Sequence, residues 1–319
     1  MNNLKKIGLT ALAGSLVATT VAVAGEMSAS GSASMKLSNN SNSAAGKTVG
    51  MANSVTLAGS GELDNGMTVS MSFELDQGAG DGTGPFDSHS VSVSSDSMGS
   101  LTVHGHGGSN AASALDTTAA GDLWDNSLGL TTGAAGLAPK GAASGNNLVV
   151  YTLPELAEGM SVSASYASDG ENIESSTAFG LTYTGMEGLT VSLGQGNNNS
   201  TVGVDIEQTV MSASYAFGSF TVGYSNNEYD HTTAANDQET TSYNVAYTLS
   251  DSISISYGMT DIDNSGDTAE VEVSGVTASY TSGGMTISGT SISADNVDGS
   301  STGTDNDNDY WKLAASFAF

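Results

Sequence analysis

The chain has 319 residues, of which 38% are apolar and 13% charged, with six Lys and Arg residues against 34 Asp and Glu residues and no cysteine. So large an excess of negative charge argues against nucleic acid or anionic phospholipid as a binding partner, because both need Lys and Arg to neutralise phosphate groups. The absence of cysteine excludes zinc-ribbon and thiol chemistry.

Residues 1–24 have the pattern of an export signal. Lys5 and Lys6 precede an apolar run from Ile7 to Ala22, and Ala22-Val23-Ala24 has the small residues of a cleavage site. The run is shorter than the roughly 20 residues that span a bilayer, which disfavours a membrane-spanning first helix. We expect cleavage before Gly25, which leaves four lysines against 34 acids, a formal charge of −30, in the mature chain 25–319.

The mature chain begins and ends with alternating segments that predict β-strands, 27–36 and 310–319. Between them, a short turn followed by an alternating strand occurs seven times, with the first apolar residue of each strand at 67, 101, 160, 189, 220, 253 and 285. Glycine in six of these turns supplies the positive φ that tight hairpins require. Seven hairpins and two end strands predict sixteen strands, an even number, as in single-chain bacterial barrels.

Each predicted strand has one apolar and one polar face. In strand 67–76 the odd-numbered residues are apolar, whereas the even-numbered ones are Ser, Thr, Glu74 and Asp76. This pattern is typical of a water-filled membrane barrel, which the export signal, the strand count and the terminal aromatic residue favour and whose lumen would be lined by Glu74, Asp76, Lys36 and Lys312. A soluble β-sandwich has the same alternation, and a secreted or surface β-repeat protein, such as an adhesin, has a similar repeat length.

The spacing of the strands marks one long insertion. Successive intervals between their first apolar residues are 34, 59, 29, 31, 33 and 32 residues. The excess lies in segment 107–147, which is rich in Gly, Ala and Asn and is longer than an ordinary connection. In a barrel wide enough to hold water, such a loop predicts a constriction folded into the lumen.

Several segments resemble the trimeric general porins of Gram-negative bacteria, most closely those of alphaproteobacteria. The likeness lies in Asn65–Phe73, Gly99–Val103, Asn147–Thr152, Ser214–Tyr224 and Phe317–Phe319. The resemblance implies an all-β, 16-stranded antiparallel transmembrane β-barrel with an inward-folded third loop. It also implies a homotrimer in the cell outer membrane, surrounded by lipid and lipopolysaccharide, that passes small hydrophilic solutes. Phe319 would be the assembly signal.

Within the long loop, the segment 121–125 is similar to the part of the family that carries the acidic side of the pore constriction. By this resemblance Asp122 and Asp125 would line the constriction, with Asp116 nearby; ordinary solvated loop acids are the alternative. The family places arginines on the opposite wall, but this chain has no arginine, and His106 stands where the first of them is usual.

His104 and His106 are two residues apart on one predicted strand, so we expect both side chains on the luminal face. We assign them to the constriction rather than to a metal site, because no third ligand is placed by the sequence. The run Asp305–Asp309 resembles the start of a calcium loop but lacks its central Gly and closing Glu. We therefore expect no cofactor beyond weak Ca²⁺ binding by external loops.

The sequence contains no histidine whose partner is fixed by its position, which predicts a protein without enzymatic activity. The resemblance implies a passive diffusion channel, and the excess of acids and the missing arginines predict that it prefers cations. A substrate-specific channel on the same barrel is the alternative, because affinity sites in a lumen depend on geometry.

Overall fold

The computed structural model describes residues 25–41, 46–76, 87–115, 123, 138–141, 146–168, 175–201, 203–300 and 307–319. Within these ranges no helix is long and apolar enough to cross a membrane. The strands are β1 (Glu26–Asn40), β2 (Thr48–Glu62), β3 (Thr68–Asp76), β4 (Ser88–Ser95), β5 (Gly99–His106), β6 (Leu148–Thr152), β7 (Met160–Ala167), β8 (Ser176–Met186), β9 (Leu189–Thr201), β10 (Val204–Phe217), β11 (Phe220–His231), β12 (Gln238–Ser250), β13 (Ile253–Asn264), β14 (Val271–Ser282), β15 (Met285–Asp295) and β16 (Asn308–Ala318). Short 3₁₀ helices lie at Ser113–Leu115 and Ala234–Asn236.

The sixteen strands form one closed antiparallel barrel, in which each strand pairs with its neighbours in sequence and β1 pairs with β16. Seven turns join the strands at one end of the barrel, which we call the turn end, and the remaining connections lie at the loop end. The predicted sixteen-stranded barrel is confirmed. A sandwich and a stacked β-repeat are excluded, because neither pairs its first strand with its last.

The last residue of the chain is part of the barrel seam. The backbone N–H of Phe319 donates to the carbonyl of Gly31 at 3.0 Å, and the N–H of Gly31 donates to the carbonyl of Phe319 at 2.7 Å. The Phe319 ring fills the space that a side chain at position 31 would need. Glycine at this position therefore allows the terminal ring to lie against the first strand.

The two faces of the wall differ in chemistry. Inward positions carry mostly Ser and Thr, whose hydroxyls pair between strands, as in Ser242 with Thr260 at 2.9 Å and Thr277 with Thr290 at 3.1 Å. Among the described side chains of β7–β15, no inward position holds Asp, Glu or Lys. Large apolar side chains point outward, among them Met71, Leu101, Leu193, Val245, Ile255 and Ile287. Most of the circumference is therefore apolar outside and neutral inside.

At the loop end of β13–β16 the alternation is reversed, so that charged side chains point outward and apolar side chains point inward. The acids Asp261, Asp263, Glu272 and Asp295 point outward there. The inward positions are apolar and buried, in contrast to the polar inner face that the alternation predicted: Ile262, Val271, Val273, Ile292, Ala294 and Tyr310. β13 and β14 have 12 residues each, more than the roughly 9–11 that a spanning strand needs. The strands thus extend beyond the apolar band.

We expect Val245→Lys to destabilise the membrane-inserted barrel by about 2–4 kcal/mol, the cost of a lysine on the lipid face near mid-membrane. Val245 points outward near the middle of β12, and its neighbour Asn244 points inward. Asn244→Lys places the same charge in the lumen and should cost much less. Reversible urea unfolding in lipid vesicles measures both losses, and equal losses would contradict the assigned faces.

Candidate functional site

The long connection between β5 and β6 enters the barrel at its first residues. Ala111 and Ala112 are 2% and 0% exposed, and the N–H of Ala111 donates to the Ser165 hydroxyl on the inner face of β7 at 2.9 Å. Two inner-wall glycines make room: a side chain at Gly180 would collide with the carbonyl of Ala111, and one at Gly194 would press on Ala112. The predicted inward fold of the third loop is confirmed for these residues.

Neutral amide side chains of the wall bind both limbs of this loop, which we call the first limb (107–115) and the returning limb (138–141). On the first limb, the Ser113 hydroxyl donates to Gln208 Oε1 at 3.0 Å. Gln208 Nε2 donates to Asn227 Oδ1 at 2.8 Å, and Asn227 Nδ2 donates to the carbonyl of Lys140 on the returning limb at 2.6 Å. One chain of hydrogen bonds across β10 and β11 therefore ties the two limbs together.

The side-chain amide of Gln238 on β12 forms hydrogen bonds with the backbone of the returning limb, in the way that the backbone of a paired β-strand would. Its Oε1 accepts the Lys140 N–H at 2.7 Å, and its Nε2 donates to the Ala138 carbonyl at 3.2 Å and to Asn264 Oδ1 at 2.8 Å. Leaving such a buried partner unsatisfied costs about 1–3 kcal/mol, so these contacts fix the limb. We call Gln208, Asn227, Gln238 and Asn264 the amide relay.

The ammonium group of Lys140 is enclosed beside the relay. Its Nζ donates to the Asn236 carbonyl at 3.0 Å and to Asn264 Oδ1 at 3.4 Å. Burial lowers the pKa of Lys140, while the charges of Asp267 and Asp237 oppose this shift without cancelling it. The charged form is therefore a net cost to the docked loop. Contacts of the Lys140 backbone, rather than its charge, hold the limb in place.

The phase-reversed patch of the inner wall receives the middle of the loop. Leu123 and Ala138 are each 4% exposed and pack against the buried apolar residues of β13–β16. Gly275 leaves the space for this contact, since a Cβ there would lie 3.2 Å from Leu123 Cδ2. Burying a leucine side chain contributes roughly 1.5–3 kcal/mol. The apolar patch inside the barrel is thus a docking surface for the loop.

The charged residues expected in the lumen lie on the inner face of described strands. Glu74 and Asp76 point inward from β3, where Glu74 Oε2 accepts the Ser88 hydroxyl at 3.5 Å. Lys36 on β1 and Lys312 on β16 also point inward. Their effect on solutes stays a prediction.

The three acids expected at the constriction, Asp116, Asp122 and Asp125, lie outside the described residues, as do the export signal 1–24 and Asp305 of the calcium-like run. Their roles stay predictions. In the part of the chain that the structure describes, no group of three His, Asp or Glu side chains is arranged to hold a metal.

The two strand histidines do not follow the predicted alternation. The register of β4 and β5 shifts between them, because Ser90 pairs with His104 whereas the adjacent His89 pairs with His106. A β-bulge therefore adds one residue to β5, which interrupts the period of two. His106 Nδ1 donates to the carbonyl of Asp87 at 2.6 Å. The prediction that strict alternation places both side chains on the luminal face is therefore wrong. That the two histidines share a role at the constriction stays a prediction.

The amide relay was not predicted from the sequence. Its members occupy inward positions near the loop ends of β10–β13, where Gln208 and Gln238 are 0% and 3% exposed. On these four consecutive strands, Gln or Asn occupies an inward position where Ser or Thr is usual. This row of amides is the sequence signal that could have revealed a docking surface.

A closed, hydroxyl-lined barrel with a loop folded into its lumen has the architecture of a bacterial outer-membrane channel. A sequence model of the Gram-negative porin family matches residues 8–300. The chain therefore belongs to the Gram-negative porins, and its location is the outer membrane.

Solved structures share the fold. The chain matches an anion-selective porin from Comamonas acidovorans with a TM-score of 0.68 at 16% identity, over 92% of this chain and 100% of that one. A triple mutant of the Rhodopseudomonas blastica porin matches with a TM-score of 0.66 at the same identity and coverage. A loop-deletion mutant of OmpT, an outer membrane protein of Vibrio cholerae, matches with 0.69 at 15% identity, over 92% and 99% of the chains. No curated protein matches the sequence.

Gln238→Leu should release the returning limb, because it removes both hydrogen bonds to the limb backbone and leaves two buried groups unsatisfied. We expect proteolysis within segment 112–143 to become about tenfold faster or more in intact vesicles, since cleavage follows the population of the opened loop. Gln195→Leu, on the outer face of β9, is the matched control. Equal cleavage of the two variants would show that the relay does not hold the loop.

Lys140 predicts a pH dependence of loop docking with a definite sign. Between its lowered pKa and the ordinary lysine value of 10.5, the undocked lysine binds more protons than the docked one. Docking should therefore strengthen as pH rises through this window, and the cost of burying the charge is fully present below it. Lys140→Met should keep the loop docked at neutral pH and abolish the dependence. Faster proteolysis of the unsubstituted loop at higher pH would contradict this assignment.

Proposed function

We propose that the protein is a passive diffusion pore for small hydrophilic solutes and that it has no enzymatic activity. The observation that carries the proposal is the hydroxyl-bearing lining of much of the described inner wall beside an inward loop. Pairs such as Ser92 with Thr102 and Thr182 with Ser192 satisfy one another. Such a wall is wettable and carries no fixed charge over β7–β15, so it admits many polar solutes without retaining them.

We propose a preference for cations. The inward charges of the described strands are four acids against two lysines: Glu26, Glu62, Glu74 and Asp76 against Lys36 and Lys312. Outward acids surround the loop end as well, among them Glu207, Glu228, Asp230, Glu239, Asp263 and Glu272. Such a field concentrates cations and repels anions over about 10 Å at 0.1 M salt. The fold does not decide the sign, since the similar Comamonas acidovorans porin is anion-selective.

We propose that three copies assemble through the outer face of β1–β3. Aromatic side chains mark where a barrel meets lipid headgroups, and they cover the outer face of β8–β14: Phe179, Tyr183, Tyr215, Phe217, Phe220, Tyr243, Tyr257 and Tyr280. On β1–β3 the exposed large side chains are aliphatic, with four methionines: Met27, Met35, Met51 and Met71. Flexible methionines adapt to a protein surface, which favours contact with another copy over contact with headgroups.

Planar-bilayer recordings test the pore. Insertion should give current in steps of three equal levels, and deletion of residues 112–143 should raise the single-channel conductance, because the described residues of this segment pack against the inner wall. An unchanged conductance and solute cut-off in a folded trimer would show that the loop does not narrow the pore. Insertion without current would reject the pore itself.

Reversal potentials test the selectivity. Glu74→Gln combined with Asp76→Asn should reduce the preference for cations at 0.1 M salt, and the effect should shrink at about 1 M salt, where screening acts within roughly 3 Å. Glu228→Gln combined with Glu239→Gln, which removes two outward acids on β11 and β12, is the control matched in charge, and it should reduce the preference less because neither side chain faces the lumen. Anion preference of the unsubstituted channel at neutral pH would overturn the proposal.

A further inference from the structure

Two lysines lie on the inner face of the two strands that form the barrel seam. In the pairing of β1 with β16, Lys36 lies opposite Ala314 and Lys312 lies opposite Ser38. Lys36 and Lys312 are therefore diagonal neighbours on the same face, a relation that places backbones roughly 7–8 Å apart and within reach of long side chains. The closing of the first strand on the last thus brings together two cations that are 276 positions apart in the chain.

The surroundings of this lysine pair are small and neutral. The Lys36 side chain lies over Gly50 of β2, where a Cβ would be 3.0 Å from Lys36 Cε. The other inward residues on β15, β16, β1 and β2 that lie within two positions of Lys36, of Lys312 or of the residues paired with them are uncharged. They are Ser34, Ser38, Asn40, Thr48, Ala52, Ser288, Thr290, Ile292, Tyr310, Ala314 and Ser316. Asp76, an inward acid of β3, is aligned with Ser54, four residues along β2 from Gly50.

Neither ammonium group has a hydrogen bond or an ion pair with any residue that the structure describes. Lys140 differs, because its Nζ donates hydrogen bonds to the Asn236 carbonyl and to Asn264 Oδ1. Two adjacent cations without a counterion repel each other, and an anion placed between them relieves this repulsion. The described inner wall thus contains one open site of positive charge, and it is at the seam.

We propose that Lys36 and Lys312 together form an anion-binding site on the lumen wall for the carboxylate or phosphate group of a small solute. Lysine is a point charge with rotating donors and does not select between these two oxyanions by shape, in contrast to the fork of arginine. The inference rests on the pore proposed above. It adds that anionic solutes pass along the β16–β1 wall and pause there, although the mouth is acidic.

Channel block tests the site. In KCl solution, addition of inorganic phosphate, and separately of succinate, should reduce or interrupt the current at millimolar concentration. Lys36→Met and Lys312→Met should each raise the blocking concentration about tenfold, and the double variant little further, because one anion needs both charges. Lys47→Met, at the loop-end mouth, is the matched control, and the two Lys→Arg variants should keep the block. Block by one anion but not the other identifies the recognised group.

If the effects of Lys36→Met and Lys312→Met on the blocking concentration multiply in the double variant, the two lysines act separately and the proposed site is wrong. The same follows if the double variant leaves the block unchanged. In both cases the proposed pore stands. Absence of current in plain KCl would instead reject the pore. Phosphorus NMR of phosphate with the folded protein in detergent then tests the site without conduction. Line broadening that Lys36→Met and Lys312→Met abolish, and the Arg variants retain, supports it, whereas no broadening with the unsubstituted protein overturns it.

Discussion

Closure of the hydrogen-bond ladder is the constraint on which the rest of this structure depends. In hydrocarbon, each backbone group without a partner costs several kcal/mol, so a sheet can cross the membrane only when its last strand pairs with its first. β1 meets β16 along nine residue pairs, and Phe319 extends the seam by two further bonds with Gly31. Once the wall is closed, every strand residue faces either lipid or lumen, which fixes where each kind of side chain must lie.

The strands extend past the apolar band, and their extra length builds the surface on which the loop docks. Beyond the band the outside no longer meets hydrocarbon, so acids such as Asp263 and Glu272 replace apolar residues there. The inside at the same level is apolar or amide-bearing and receives Leu123, Ala138 and the backbone of Lys140. The loop is thus held by packing and neutral hydrogen bonds, which are weakly affected by salt. The excess negative charge of the chain accumulates largely outside the lumen wall.

The sequence predicted the fold closely, because alternation and turns are local signals. Seven turns and two end strands were enough to count sixteen strands, and one long interval located the inward loop. The site was predictable only where strict alternation holds, as for Glu74 and Lys312. His106 was misplaced because a β-bulge is a single extra residue without a distinctive composition. The contacts of the amide relay with the loop, and the register that makes Lys36 and Lys312 neighbours, join segments that are distant in sequence, which no single segment encodes.

The central claim is that the loop between β5 and β6 is bound inside a closed barrel, and the absence of native cysteine gives a direct test of it. A Cβ at Gly194 would lie 3.3 Å from the Cβ of Ala112, slightly below the roughly 3.5–4.5 Å found in disulfides, so a shift of Ala112 by a few tenths of an ångström allows the bond. In the barrel inserted in outer-membrane vesicles, Ala112→Cys combined with Gly194→Cys should form a disulfide spontaneously under mild oxidation. If both thiols instead remain reduced and react with a bulky water-soluble maleimide, the loop does not occupy the lumen and the account is contradicted.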